Sequence, residues 1–170
     1  RESAGRIVET NLLKALESHS DTEVKTFLLN QLNLVGGSKS TDEVKKYLSD
    51  EKLVEPATQT LLSTGSEAAA RALLEGLPNS SEQSKITLIK ALGELKYRFA
   101  VMPVTAFANS DNQVLQKVVF EALANIADPA SYQLLYNAAK EAEFKYEPLN
   151  AAEAFLEYAD NLLKSGNLKQ

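Results

Sequence analysis

The residues that could carry out chemistry are few in this sequence of 170 residues. His19 is the only histidine, it stands between Ser18 and Ser20 at a predicted turn, and cysteine is absent. Sites that need two imidazoles, which include most zinc enzymes, are therefore excluded, as are disulfides and cysteine nucleophiles. We predict no metal site, no bound cofactor and no catalytic residue, and we expect His19 to be solvated.

Carboxylates are frequent near the C-terminal end, for example Glu141 with Glu143 and Glu153 with Glu157. General acid–base catalysis needs two carboxyl groups in a cleft that separates their pKa values. No pattern of residues here indicates such a cleft, whereas acids and bases mixed along helices are typical of solvated faces. We therefore expect these pairs to lie on the surface, and we predict that the chain is not an enzyme.

Charge and aromatic residues are unevenly distributed along the chain. Residues 85–117 contain five cations and two acids, a local charge of +3, whereas residues 140–160 contain six acids and two cations, a local charge of −4. Ten of the twelve aromatic residues follow position 96. They favour either a recognition surface near the C-terminal end or packing between helices, and both interpretations stay open at this point.

The whole chain contains 18 Lys+Arg and 23 Asp+Glu, which gives a net charge of −5. A surface that follows phosphate groups needs the opposite excess, so we predict no nucleic-acid partner. No apolar run approaches the length of about 18 residues that spans a bilayer, and membrane insertion is not expected.

The elements that must position these side chains are helices. Alternating runs of β-branched residues are missing, so the sequence predicts no strands and no phosphate loop after a strand. Helix start and stop signals recur every 12 to 20 residues instead. They predict about ten helices, at 3–16, 21–35, 41–49, 51–63, 66–77, 81–97, 98–109, 111–127, 129–144 and 147–164.

Several helix ends carry recognisable capping residues. Ser40 and Glu43 have the spacing of a capping box, and Asp128 precedes a proline at a first helical position. Glycines that suit left-handed helix C-caps follow apolar runs at Gly36, Gly37, Gly65 and Gly166.

Apolar residues repeat along these helices with a period near 31 residues. One column has the spacing i, i+4, i+7, which forms a stripe on a helix, and its members are Leu28-Leu32-Val35, Ala57-Leu61-Thr64, Leu88-Leu92-Leu95, Val119-Leu123-Ile126 and Ala152-Leu156-Ala159. A second column at i and i+4 comprises Leu12/Leu16, Val44/Leu48, Leu73/Leu77, Val104/Ala108 and Leu135/Ala139. A single helical hairpin cannot bury its own stripe, so the repetition predicts stacked hairpins that share one interior.

Residues 104–129 resemble a HEAT repeat. Asp111 opens the second helix, Val114 follows, and the run from Ala122 to Pro129 has the Ala-Leu-small-x-Ile-small-Asp-Pro pattern that ends a repeat in that family. The segments 12–25 and 91–95 are similar to parts of the same pattern, and armadillo repeats are not separated from HEAT repeats by it. The resemblance implies an all-α fold, a right-handed α–α superhelix of about five antiparallel helix pairs.

The resemblance also implies where a partner would bind, because the second helix of each HEAT pair lines the concave side. Positions two and six residues after the first core residue of a triad point away from the core. They select Asn30, Gln59, Lys90, Glu94, Glu121, Asn125 and Tyr158. We expect this ridge to bind a polar protein surface or a peptide.

The function predicted from these observations is a non-catalytic protein–protein interaction scaffold. One alternative is an accessory or spacer region of a larger multidomain enzyme, and a bilin-lyase-like HEAT protein is another. The HEAT-type hydroxylases use repeated His-Glu pairs, which this sequence lacks.

The two terminal helices carry apolar residues on more than one face, such as Ile7 and Val8 in the first and Phe155 and Leu156 in the last. Solenoids normally have polar caps at their ends. The sequence also begins with Arg1 rather than Met. We therefore expect residues 1–170 to form a single repeat array within a longer chain, with end-to-end contacts through the uncapped terminal helices.

Overall fold

A computed structural model describes residues 2–35, 37 and 39–165, and every regular element among them is helical. The described residues form ten α-helices, as predicted. They are α1 (Glu2–Ser18), α2 (Thr22–Val35), α3 (Ser40–Val44), α4 (Val54–Thr64), α5 (Glu67–Gly76), α6 (Glu82–Glu94), α7 (Val101–Thr105), α8 (Gln113–Ile126), α9 (Tyr132–Glu141) and α10 (Ala151–Lys164). None of these helices combines the length and the apolarity that crossing a membrane requires.

The predicted helices 41–49 and 98–109 are shorter in the structure and are partly replaced by 3₁₀ turns. A 3₁₀ turn at Lys45–Tyr47 follows α3, and another at Arg98–Ala100 precedes α7. After α7 the N–H groups of Phe107 and Ala108 donate to carbonyl oxygens three residues back, at 3.0 Å each. This tighter hydrogen bonding ends the α-helix early and completes the element as turns.

The chain divides into two compact units, Arg1–Ala91 and Leu92–Gln170. In the first unit α1 packs on α2, and α3 and α5 pack on α4. In the second unit α7 packs on α8 and α9 packs on α10. The second helices of neighbouring pairs also stack, α2 on α4 in the first unit and α8 on α10 in the second. A single array over residues 1–170 and a right-handed superhelix stay predictions.

The stacking of α2 on α4 includes one buried polar contact. The Thr60 hydroxyl lies 2.9 Å from the Leu29 carbonyl oxygen of α2 and 2.8 Å from the Pro56 carbonyl oxygen of its own helix. Thr60 is fully buried, so this hydroxyl donates inside the apolar interior.

Both apolar columns form the cores of the two units. Buried members of the first column are Leu28, Leu32, Ala57, Leu61, Leu88, Leu92, Val119, Leu123 and Ile126. Buried members of the second are Leu16, Val44, Leu48, Leu73, Leu77, Val104, Ala108, Leu135 and Ala139. The equivalent environments of Leu32, Leu92 and Leu123, each with no exposed surface, confirm the predicted periodic interior.

The predicted core triad of the last helix is wrong. Leu156 is 70% exposed, and the buried side chains of α10 are Ala151, Ala154 and Tyr158. The equivalent of Val119 is thus Ala154, 35 residues later, because the turn between α9 and α10 is longer than the others. The Asn161 side chain completes the stripe and donates to the Ala124 carbonyl oxygen of α8 at 3.2 Å.

The predicted caps have mixed outcomes. Gly65 is left-handed with φ of 56°, and Asp128 accepts from the Ala130 N–H at 3.0 Å, so both predictions are confirmed. The capping box at Ser40 is wrong, because α3 begins at Ser40 itself and Glu43 forms an ion pair with Lys46. The glycines at 36 and 166 lie outside the described residues.

Replacing Lys96 by glycine is expected to stabilise the protein by about 0.5–1 kcal/mol. Lys96 follows α6 in a left-handed conformation with φ of 50°, and its exposed side chain has no packing to lose. Chemical denaturation would measure the change. The matched variant Lys90→Gly, inside α6, should instead lose about 1 kcal/mol; a stability gain for that variant, or a loss for Lys96→Gly, would contradict the explanation.

Candidate functional site

Polar side chains of three successive second helices line the surface of the first unit. Asn30 of α2, Gln59 of α4 and Lys90 of α6 are all exposed. Their steps of 29 and 31 residues follow the core period, because each lies two residues after a buried residue of the first column. The exposure expected of these three residues is confirmed.

Glu55 belongs to the same surface and was missed by the sequence reasoning. Its carboxylate accepts from Gln59 Nε2 at 3.2 Å and from the Thr87 hydroxyl of α6 at 3.1 Å. The carboxylate thus orients the Gln59 amide and links α4 to α6. A spacing of four residues between Glu55 and Gln59 on a helix was the available signal.

In the second unit the corresponding side chains are more enclosed. Glu94 is exposed, whereas Glu121 and Asn125 are half-buried. The Glu121 carboxylate lies 3.8 Å from Lys117 Nζ on the same helix. A small cleft of about 170 Å³ lies between α8 and α10, and its lining consists of Glu121, Asn125, Asn150, Glu153, Ala154 and Glu157.

Tyr158 does not lie on this surface, and its predicted exposure is wrong. Its side chain is 1% exposed, and it fills the core position that the sequence analysis gave to Leu156. Burial raises the pKa of Tyr158, and the nearby Asp128 carboxylate raises it further. Counted from the true core residue Ala154, the outward positions of α10 are Leu156 and Asp160, which are both exposed.

Five aromatic rings of α9, α10 and the turn between them form a continuous cluster, which we call the aromatic cluster. The members of the aromatic cluster are Tyr132, Tyr136, Phe144, Phe155 and Tyr158. Neighbouring ring centroids lie 5.7 to 6.4 Å apart. Of the two interpretations left open by the sequence, packing is therefore established for Tyr158, while the outer rings both pack and contact solvent.

The residues considered for chemistry lie apart from one another on the surface. His19 is exposed, and its Nδ1 atom lies 2.7 Å from the Ala15 carbonyl oxygen of the preceding turn. The carboxylate pairs are exposed as expected, namely Glu141, Glu143, Glu153 and Glu157. Over the described parts of the chain, no group of three or more His, Cys, Asp and Glu side chains is placed to hold a metal ion.

The arrangement can therefore offer hydrogen bonds and mixed charge along a row of helices. A family model described as HEAT repeats matches residues 70–155, which is half of the chain. No curated protein matches the chain.

Proposed function

This chain belongs to the HEAT-repeat family, and from that premise we propose that it is a non-catalytic scaffold for protein–protein interaction. HEAT repeats are commonly scaffolds of this kind. Their stacked hairpins create long surfaces on which equivalent side chains recur at each repeat. A protein or a peptide is the partner class that such a surface fits.

The observation that carries the proposal is the row of exposed or half-exposed polar residues on the second helices. We call this row the polar ridge and define it as Asn30, Gln59, Lys90, Glu94, Glu121 and Asn125. We assign the polar ridge to the concave face, as the second helices of HEAT pairs are arranged in the family. Each repeat contributes one or two groups, so a partner can be read at regular steps.

The chemistry of the polar ridge favours a polar partner. Amides of Asn30 and Gln59 both donate and accept, while Lys90 and Glu94 present opposite charges four residues apart. Exposed charges of this kind affect specificity and association rate more than affinity. We therefore expect a partner with complementary charges and modest affinity.

A charge swap along the polar ridge tests this function. The variant Lys90→Glu/Glu121→Lys keeps the net charge and reverses the pattern, and we expect it to recover a bound partner about tenfold less well. Affinity capture from the source cells, followed by binding measurements with the purified partner, would show the effect.

The matched control is Glu51→Lys/Lys52→Glu, an equivalent swap at two exposed residues away from the polar ridge. A partner that binds the wild type and this control equally, but loses the ridge variant, supports the scaffold. Equal recovery by all three proteins would favour a spacer region instead.

A further inference from the structure

The outer part of the aromatic cluster is exposed to solvent. Tyr132 is 47% exposed and Phe144 is 53% exposed, and Leu156 lies beside Phe155 on α10 with most of its surface free. Single apolar side chains on a surface are ordinary, whereas neighbouring rings and an exposed leucine form a contiguous apolar patch. Patches of this kind mark interaction surfaces.

Phe144 is held in place rather than loosely attached. Glu143 and Phe144 are both left-handed, with φ of 51° and 55°, which side-chain-bearing residues rarely adopt. The Phe144 N–H donates to the Ala139 carbonyl oxygen at 2.8 Å, and its ring contacts Tyr136 at a centroid distance of 6.1 Å. A ring fixed before binding loses little conformational entropy when a partner arrives.

Carboxylates surround this patch. Glu141 ends α9, and Glu153 and Glu157 are exposed on α10, next to the cleft that contains Asn150. Among the described residues, the nearby ion pairs involve Glu143 with Lys145 and Asp160 with Lys164, so these three carboxylates are not neutralised. The local charge of −4 in residues 140–160 is therefore present at the surface as an acidic border to aromatic rings.

We propose that the aromatic cluster, together with Leu156 and the flanking carboxylates Glu141, Glu153 and Glu157, forms a docking face for a basic amphipathic segment of a protein partner. Apolar anchors of the segment contact the rings and Leu156, while its Lys or Arg side chains lie over the carboxylates and the ring faces. This inference rests on the proposed scaffold function and assigns one partner class to a second surface.

A second copy of the chain is the less suitable occupant. Its other exposed apolar residues include Ile7, Val8, Phe27 and Leu34 of α1 and α2. Residues 1–35 contain four cations and five acids, so that surface has no positive charge to complement the acidic border. Charge complementarity therefore points to a basic partner.

Fluorescence anisotropy with a defined probe tests the docking face. The probe is a labelled helical peptide of about 14 residues with leucines on one face and lysines on the other, and its matched control has glutamates in place of the lysines. We expect the lysine peptide to bind and the glutamate peptide not to bind. Binding should weaken about tenfold as salt rises from about 0.05 to about 0.5 M, because screening removes the charge attraction.

Two variants separate the apolar and the charged contributions. Phe144→Ala and Glu153→Gln/Glu157→Gln are each expected to weaken binding of the lysine peptide about fivefold to tenfold, whereas Glu51→Lys/Lys52→Glu should leave it unchanged. Circular dichroism confirms that the exposed Glu-to-Gln changes leave the helices intact. Equal binding by wild type and both variants would overturn the proposal.

Two further measurements distinguish the remaining outcomes. Light scattering that shows a dimer lost in Phe144→Ala would assign the face to a second copy and overturn the basic-peptide proposal. A partner that depends on Lys90 and Glu121 while the lysine peptide fails to bind would uphold the scaffold function and reject the docking face alone.

Discussion

Replacing Gly93 by valine is expected to lower the free energy of unfolding by about 3 kcal/mol. Gly93 is buried at the end of α6, and a Cβ atom there would lie 2.7 Å from the Ala122 Cα and 2.9 Å from the Ala122 Cβ of α8. The obstructing atoms belong to a backbone and a one-carbon side chain, so they cannot rotate away. The two helices would have to separate, which opens the core around Leu92 and Leu123. Urea denaturation monitored by circular dichroism would measure this loss.

Gly5 supplies the matched control for this prediction. It lies within α1, and a Cβ atom at this position would meet no other atom within 4 Å. Gly5→Val should therefore change stability by no more than about 0.5 kcal/mol, in the direction of the better helix former. Similar stabilities for Gly93→Val and the wild type would contradict the close approach of α6 and α8.

Replacing Glu9 by alanine is expected to cost about 3 kcal/mol of unfolding free energy. Glu9 is only 4% exposed, and its Oε1 atom accepts from the Gly37 N–H at 2.9 Å, the Ser40 N–H at 3.1 Å and the Ser40 hydroxyl at 2.8 Å. Alanine would leave two backbone donors near the start of α3 without their acceptor. Denaturation would give the global effect, and hydrogen exchange at Ser40 the local one.

Two further variants test whether the carboxylate acts as a hydrogen-bond acceptor. Glu9→Gln keeps one side-chain oxygen and should lose only about 1 kcal/mol. Glu17→Ala removes an exposed carboxylate from the same helix and should stay within about 0.5 kcal/mol of the wild type. If Glu9→Ala and Glu17→Ala had the same stability, the buried contacts with Gly37 and Ser40 would not contribute to folding.

The helical fold was predictable because its core repeats at a nearly constant period. Leu28, Ala57, Leu88 and Val119 are separated by 29 to 31 residues, and each is buried on the second helix of its pair. That regularity also located the exposed residues of the polar ridge, because their positions follow from the phase of the buried stripe. The same assumption failed in α10, where a constant period selected Leu156 rather than Tyr158.

The failure has an identifiable physical cause. The turn between α9 and α10 contains three left-handed residues, Glu143, Phe144 and Asn150, and only Asn150 is of a type that favours this conformation. The extra length therefore had no clear sequence signal. Ser40 misled in a similar way, because its capping-box spacing predicts a local bond to Glu43, while a carboxylate 31 residues earlier accepts from it instead.

The buried Thr60 hydroxyl has a consequence for how neighbouring hairpins align. Leucine and alanine side chains alone allow α2 and α4 to slide past each other with little change in energy, since dispersion contacts are not directional. A hydroxyl that must reach the Leu29 carbonyl oxygen is satisfied at one sliding position, and an unsatisfied buried hydroxyl costs free energy at every other. One oxygen atom thus sets the register between two stacked hairpins, and isosteric valine at this position would keep the packing while removing that alignment.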